Sequence, residues 1–198
     1  MTDLPIPAVP DLARAHGETR ADLIDYFISY YEANGANFNY IRATRTVKSA
    51  YKGFHQIDQL LLSAEKEKSK QGKKANKDVI ELAAPVAFGR NTQVFDLPRR
   101  RFPFGRNLFS GYRIPFFFVE GGIIKLYFLQ PRKSWNLTLD QLCMVATIHK
   151  RYLLDAEFYG HPTDIEYVDA SADPSTGKRK LAVHSLASLP LWPAERLS

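Results

Sequence analysis

IPFFFVEGGIIKLYFLQ, residues Ile114 to Gln130, holds the strongest structural signal in the chain. Two β-rich runs, Ile114–Glu120 and Ile123–Gln130, are joined by Gly121-Gly122. A two-residue glycine link fits a hairpin, because the primed turns that match strand twist need positive φ. Both runs are nearly apolar throughout and do not alternate. A strand apolar on both faces is buried on both faces. The hairpin (114–130) is therefore expected at the centre of a mixed sheet, with helices on one side and helix or loop on the other.

Working toward the N-terminus, Pro98–Gly111 reads as a loop rich in arginine and phenylalanine. Thr92–Leu97 is a short strand candidate. Val79–Phe88 is apolar but contains Pro85, which makes it an edge or bulged strand. EKEKSKQGKKANK, from Glu65 to Lys77, has almost no recurring apolar position and reads as a frayed helix end becoming a Lys-rich linker near 65–77. Before it, Val47, Ala50, Tyr51, Phe54, Ile57 and Leu61 recur at helical spacing, and one long helix is expected from Thr44 or Thr46. A first helix opens at Thr19-Arg20-Ala21-Asp22, a capping-box variant, carries Leu23, Phe27, Tyr30 and Tyr31, and stops at Asn34-Gly35. Residues 1–17 hold Pro5, Pro7 and Pro10 and read as an extended arm.

Toward the C-terminus, Thr138-Leu139-Asp140-Gln141 is a capping box opening a helix through Leu153. Asp164–Asp169 and Lys180–Leu186 read as paired strands across a turn at 173–177. Trp192, in the tail, is expected to fold back on the body. The sum is an α/β or α+β fold, with about three helices on five or six strands, and residues 18–198 as a single globular domain.

Composition narrows the function classes. The chain has 198 residues, 45% of them hydrophobic, enough for one sizeable core. Cys143 is the single cysteine, so no internal disulfide or thiolate metal site can form. The N-terminal MTDLPIPAVPDLARAHGE has no apolar core and does not read as a signal peptide. The longest apolar run is too short to span a bilayer, so no membrane association is expected and a cytoplasmic location is. Gly72-Lys73-Lys74 lacks the rest of a phosphate-binding loop. His16, His55, His149, His161 and His184 have no metal-ligand spacing, and Cys143 sits on an apolar helix face as a small core residue. No cofactor is expected.

The net charge is +6, unevenly spread. Lys66 to Arg113 holds twelve Lys and Arg against four acids, a net of +8, and the rest of the chain carries −2. Within that segment Arg99, Arg100, Arg101 and Arg106 stand among Phe102 and Phe104. Guanidinium groups fork onto phosphates and aromatic rings stack on unpaired bases. The plainer account is a solvated loop anchored by its phenylalanines. A second basic group, Arg132 and Lys133 with Trp135, leaves the hairpin's last strand and enters a helix N-terminus, where anions are favoured. The plainer account there is a solvated turn with an indole lid. The leading expectation is a nucleic-acid-associated protein that binds phosphates through these two segments. A second is a non-enzymatic module whose basic stretch meets an acidic protein.

A third is a metal-dependent nuclease. The order helix, strand, hairpin, helix, strand resembles the core of restriction-endonuclease-like nucleases. Those enzymes hold a divalent metal with an acid on one strand and an acid-x-Lys on the next. This chain departs from that pattern: Glu120 is followed by two glycines, Lys125 comes five residues later, and Gln130-Pro131-Arg132 brings no carboxylate. Asp96 and Glu81 remain candidate ligands, and a divalent metal is implied under this reading alone.

Overall fold

The computed structural model describes residues 6–15, 19–32, 39–98, 100–134 and 136–197. Arg99, Trp135, His16 and the Asn34-Gly35 stop lie outside them. The fold is mixed α and β. Helices α1 (Val9–Arg14), α2 (Arg20–Glu32), α3 (Ile41–Tyr51), α4 (Ile57–Glu65) and α5 (Lys70–Ala83) precede the strands. Then come β1 (Gln93–Phe95), β2 (Arg101–Gly105), β3 (Leu108–Gly111), β4 (Phe116–Glu120) and β5 (Ile123–Gln130). Helix α6 (Leu139–His149) runs on through a π-helical turn, Lys150–Leu154, and β6 (Thr163–Asp169) and β7 (Ala182–His184) complete the sheet.

The main sheet has the order β1-β4-β5-β6-β7, and β2-β3 form a separate two-stranded ribbon. β5 and β6 are parallel, joined across α6; the other neighbours are antiparallel. The expected hairpin is β4-β5, central in the sheet. Glu120 pairs with Ile123 across Gly121 and Gly122, whose φ values of 57° and 80° are those a primed turn requires.

Both faces of the hairpin are largely buried, as its nearly apolar runs demand. Phe116, Phe118, Tyr127 and Leu129 meet Val47, Tyr51, Val79 and Ile80 of α3 and α5. Leu126 and Phe128, with Ile165 and Tyr167 of β6, meet Val9 of α1, Val145 and Ile148 of α6, and Trp192 of the tail. The α6 capping box is present in both directions between Thr138 and Gln141, and Thr19 and Asp22 bond reciprocally at the start of α2. Trp192 does fold back: its backbone N–H donates to Thr147 Oγ1 at 2.8 Å and its indole to Asp140 at 3.1 Å.

Four expectations are corrected. The extended arm contains α1, because Pro10 stands in the first helical turn, where its missing N–H costs nothing, and Val9 and Ala13 are buried. The expected long helix breaks at Gly53 (φ 99°) into α3 and α4, leaving Phe54 exposed. The Lys-rich linker is largely α5: Ser69 caps it by accepting from the Gly72 N–H, and Gly72, Asn76, Val79, Ile80 and Ala83 are buried along one stripe. The Val79–Phe88 strand is the end of that helix and a 3-10 turn at Ala84–Ala87, with Pro85 in the turn's first positions.

Candidate nucleic-acid interface

The Pro98–Gly111 loop is the β2-β3 ribbon. Arg101 pairs with Gly111, Phe102 with Ser110 and Pro103 with Phe109, with a bulge between Pro103 and Gly105. Asn107 closes the turn at φ 60°, a left-handed conformation asparagine tolerates. Strand alternation sorts the side chains. Phe102 turns inward onto Tyr152 and Tyr112, with ring centroids 5.0 and 6.3 Å away, and Ser110 Oγ donates to the Pro7 carbonyl. Arg101, Pro103 and Phe109 face outward. Phe104 and Leu108 flank the tip, both substantially exposed, and Arg106 stands on the turn.

The cations of the sequence-derived set fare differently. Arg100 is drawn to Glu157, with Nε 2.6 Å from Oε1. Arg101, Arg106 and Lys133 are exposed and have no acidic partner among the described residues. Arg132 reaches toward Asp11, Nη1 to Oδ1 at 4.0 Å. The Phe102 ring, half-buried, is already packed on the chain's own Tyr112 and Tyr152.

Asp11 went unmarked in the sequence, yet it joins the two basic segments. It is fully buried in α1. Arg113, which follows the ribbon, holds Asp11 Oδ2 at 2.8 Å from a left-handed backbone, φ 59°, that is costly for a residue with a Cβ. Burial pushes the Asp11 carboxyl upward, and Arg113 and Arg132 oppose that. Tyr30 adds a hydrogen bond at 3.5 Å. Arg113 and Arg132, which flank the open end of the β4-β5 hairpin, thus converge on one carboxylate.

A second polar cluster lies on the α3 face of the sheet. Arg90 bridges two glutamates: Nε and Nη2 donate to Glu120 at 2.7 Å, and Nη1 and Nη2 to Glu166 at 2.9 and 2.8 Å. Lys125 donates to Glu120 at 2.9 Å, and Tyr51 OH to Glu166. The guanidinium also lies over the Tyr51 and Phe118 rings. Hydrogen bonds from Arg90 and Lys125 hold the Glu120 carboxyl down at about 2. Asp96 is paired with Lys48 and Glu81 with Lys77. The acids considered as metal ligands therefore face the chain's own cations. Among the described residues no three His, Cys, Asp or Glu side chains are grouped to hold a metal ion.

His149 is buried with its ring locked. Nε2 lies 3.1 Å from the Tyr112 carbonyl, which makes it the donor there, and Nδ1 accepts from Tyr167 OH. Burial pushes its pKa down to about 3. Cys143 is buried, as its helical position suggested.

No helix among the described residues is long and apolar enough to cross a membrane. No protein family, curated protein or solved structure matches the chain.

Proposed function

We propose that the chain binds single-stranded nucleic acid along the β2-β3 ribbon, with Arg101, Arg106 and Lys133 on phosphates and Phe104 and Phe109 stacking on bases. One observation carries this reading. The ribbon stands outside the main sheet and presents guanidinium groups with no acidic partner among the described residues beside exposed rings, Phe109 being 46% exposed. Arginine forks onto phosphate, while an aromatic face accepts any unpaired base. An exposed ring with no stacking partner among the described residues favours this reading over a purely electrostatic contact with an acidic protein. Cleavage is not part of the proposal, because Glu120 and Glu166 are bridged by Arg90.

Fluorescence anisotropy with a labelled single-stranded oligonucleotide tests it. Affinity should fall with salt, each phosphate contact adding roughly 0.7 to the logarithmic slope. Arg101→Glu with Arg106→Glu should weaken binding tenfold or more and leave the melting temperature nearly unchanged, since exposed charges contribute little to stability. No binding by the unaltered protein at low salt ends the proposal, and equal binding by both proteins removes the ribbon as the site.

A further inference from the structure

We infer that the chain forms a two-fold dimer in which α2 of each copy lies across the β2-β3 ribbon of the other. Helix α2 has 13 residues and no buried one. A helix of that length is marginal in water without packing. It touches its own body along one side, where Tyr26 OH donates to the Asp11 carbonyl at 3.0 Å and Tyr30 OH to the Asp11 carboxylate. The far face is open: Ile24 and Ile28, one turn apart, are 50% and 49% exposed, with Phe27 half-buried beside them. Asp25 and Glu32 border that apolar strip on the Ile28 side.

The ribbon is the complementary surface. Its outward face is apolar at Pro103 and Phe109 and cationic at Arg101, with Arg106 on the tip. An acid-edged apolar strip meets a base-edged one, which satisfies both the desolvation and the charge requirements of an interface. Both surfaces also flank α1: Tyr26 and Tyr30 bond to Asp11, and Ser110 of β3 bonds to the Pro7 carbonyl. Paired about one two-fold axis, the two contacts are identical by symmetry and close the assembly at two copies. The occupant is a second copy of this chain, because this chain already presents both halves. The inference does not rest on nucleic-acid binding, although the two would compete for the ribbon.

Sedimentation velocity on protein freed of nucleic acid tests it, over a concentration series at low and moderate salt. The sedimentation coefficient should rise with concentration to that of a dimer, less readily at moderate salt. Ile24→Asp with Ile28→Asp, and separately Arg101→Glu with Arg106→Glu, should each raise the dimer dissociation constant roughly tenfold or more. Adding Asp25→Arg and Glu32→Arg to the ribbon variant should restore the dimer, a recovery that damaged folding cannot produce. A monomer at every concentration overturns the inference. So does a dimer indifferent to the ribbon changes, or a charge exchange that fails to restore association. Because no oligonucleotide is present, these outcomes are independent of the anisotropy result.

Discussion

Arg90 bonds both carboxylates it faces, and Glu166, the more buried of the two, has its side chain only 9% exposed. Removing one partner of such a cluster is worse than removing all of it, because the remaining charge has lost its solvent and its counterion. Arg90→Leu should therefore cost about 3–5 kcal/mol in a urea titration. An unshifted midpoint would show that the cluster is solvated. Acid adds two separable effects. His149 has a folded pKa of about 3, below its ordinary 6.5, so the unfolded chain takes up the proton first. Stability is full above pH 6.5 and falls as pH drops toward 3, by about 1.4 kcal/mol per unit. Glu120 sits at about 2 against an ordinary 4.5, so its contribution is lost only as pH falls below 4.5. Stability should thus begin to decline near pH 6.5, and His149→Gln should flatten the profile between 6.5 and 4.5 while leaving the steeper acid limb. A parallel decline in the variant would assign the upper limb to other groups. Neither Arg90 nor His149 was marked by spacing, since their partners lie 30, 76 and 18 residues away in the chain.

At the scale of elements, legibility followed the chemistry of each stripe. The β4-β5 hairpin was readable because its faces are both apolar and its turn needs glycine. The cap of α6 was readable because a capping box is local. Helix α5 was not, because its buried stripe is made of Gly72 and Asn76 before Val79 and Ile80, among lysines that look solvated. Asn76 is what makes that stripe bury: its Oδ1 accepts from the Ala43 N–H at 2.9 Å, and its Nδ2 donates to the Asn39 and Gly72 carbonyls at 3.0 and 2.9 Å. Ala43 lies in the first turn of α3, whose amides have no intrahelical acceptor. Asn76→Ala should leave that buried donor unpaired and cost about 1–3 kcal/mol, read as a lower urea midpoint with an unchanged slope. A midpoint equal to wild type would mean that water replaces the amide. The ribbon was hidden for a different reason. Its inward residues, Phe102 and Ser110, are too few to make an alternating pattern, and its charge reads as loop.

On the scale of the whole molecule, the two apolar clusters lie on opposite faces of one sheet, and β4, β5 and β6 supply side chains to both. Pleating alone divides them: Leu126 and Phe128 go to the α6 side, Tyr127 and Leu129 to the α3 side. The central place of the hairpin was legible from this double burial, but the order of the other strands was not, since the parallel β5-β6 pairing depends on where α6 returns the chain. Neither cluster can lose its sheet face without exposing the other, so they should unfold together. Ile80 is fully buried on the α3 side, and Trp192 is buried on the α6 side. Ile80→Ala should cost about 2–5 kcal/mol for the lost transfer energy and the cavity. In a Trp135→Phe background, where Trp192 on the far face is the single fluorophore, it should lower the midpoint seen by tryptophan fluorescence as much as the midpoint seen by far-ultraviolet circular dichroism. Coincident curves for both proteins are the signature of one cooperative unit. A variant whose dichroism midpoint falls while its fluorescence midpoint stays would mean that the α3 layer detaches from a sheet that keeps its α6 side. The strands would then hold the two layers as neighbours without coupling them.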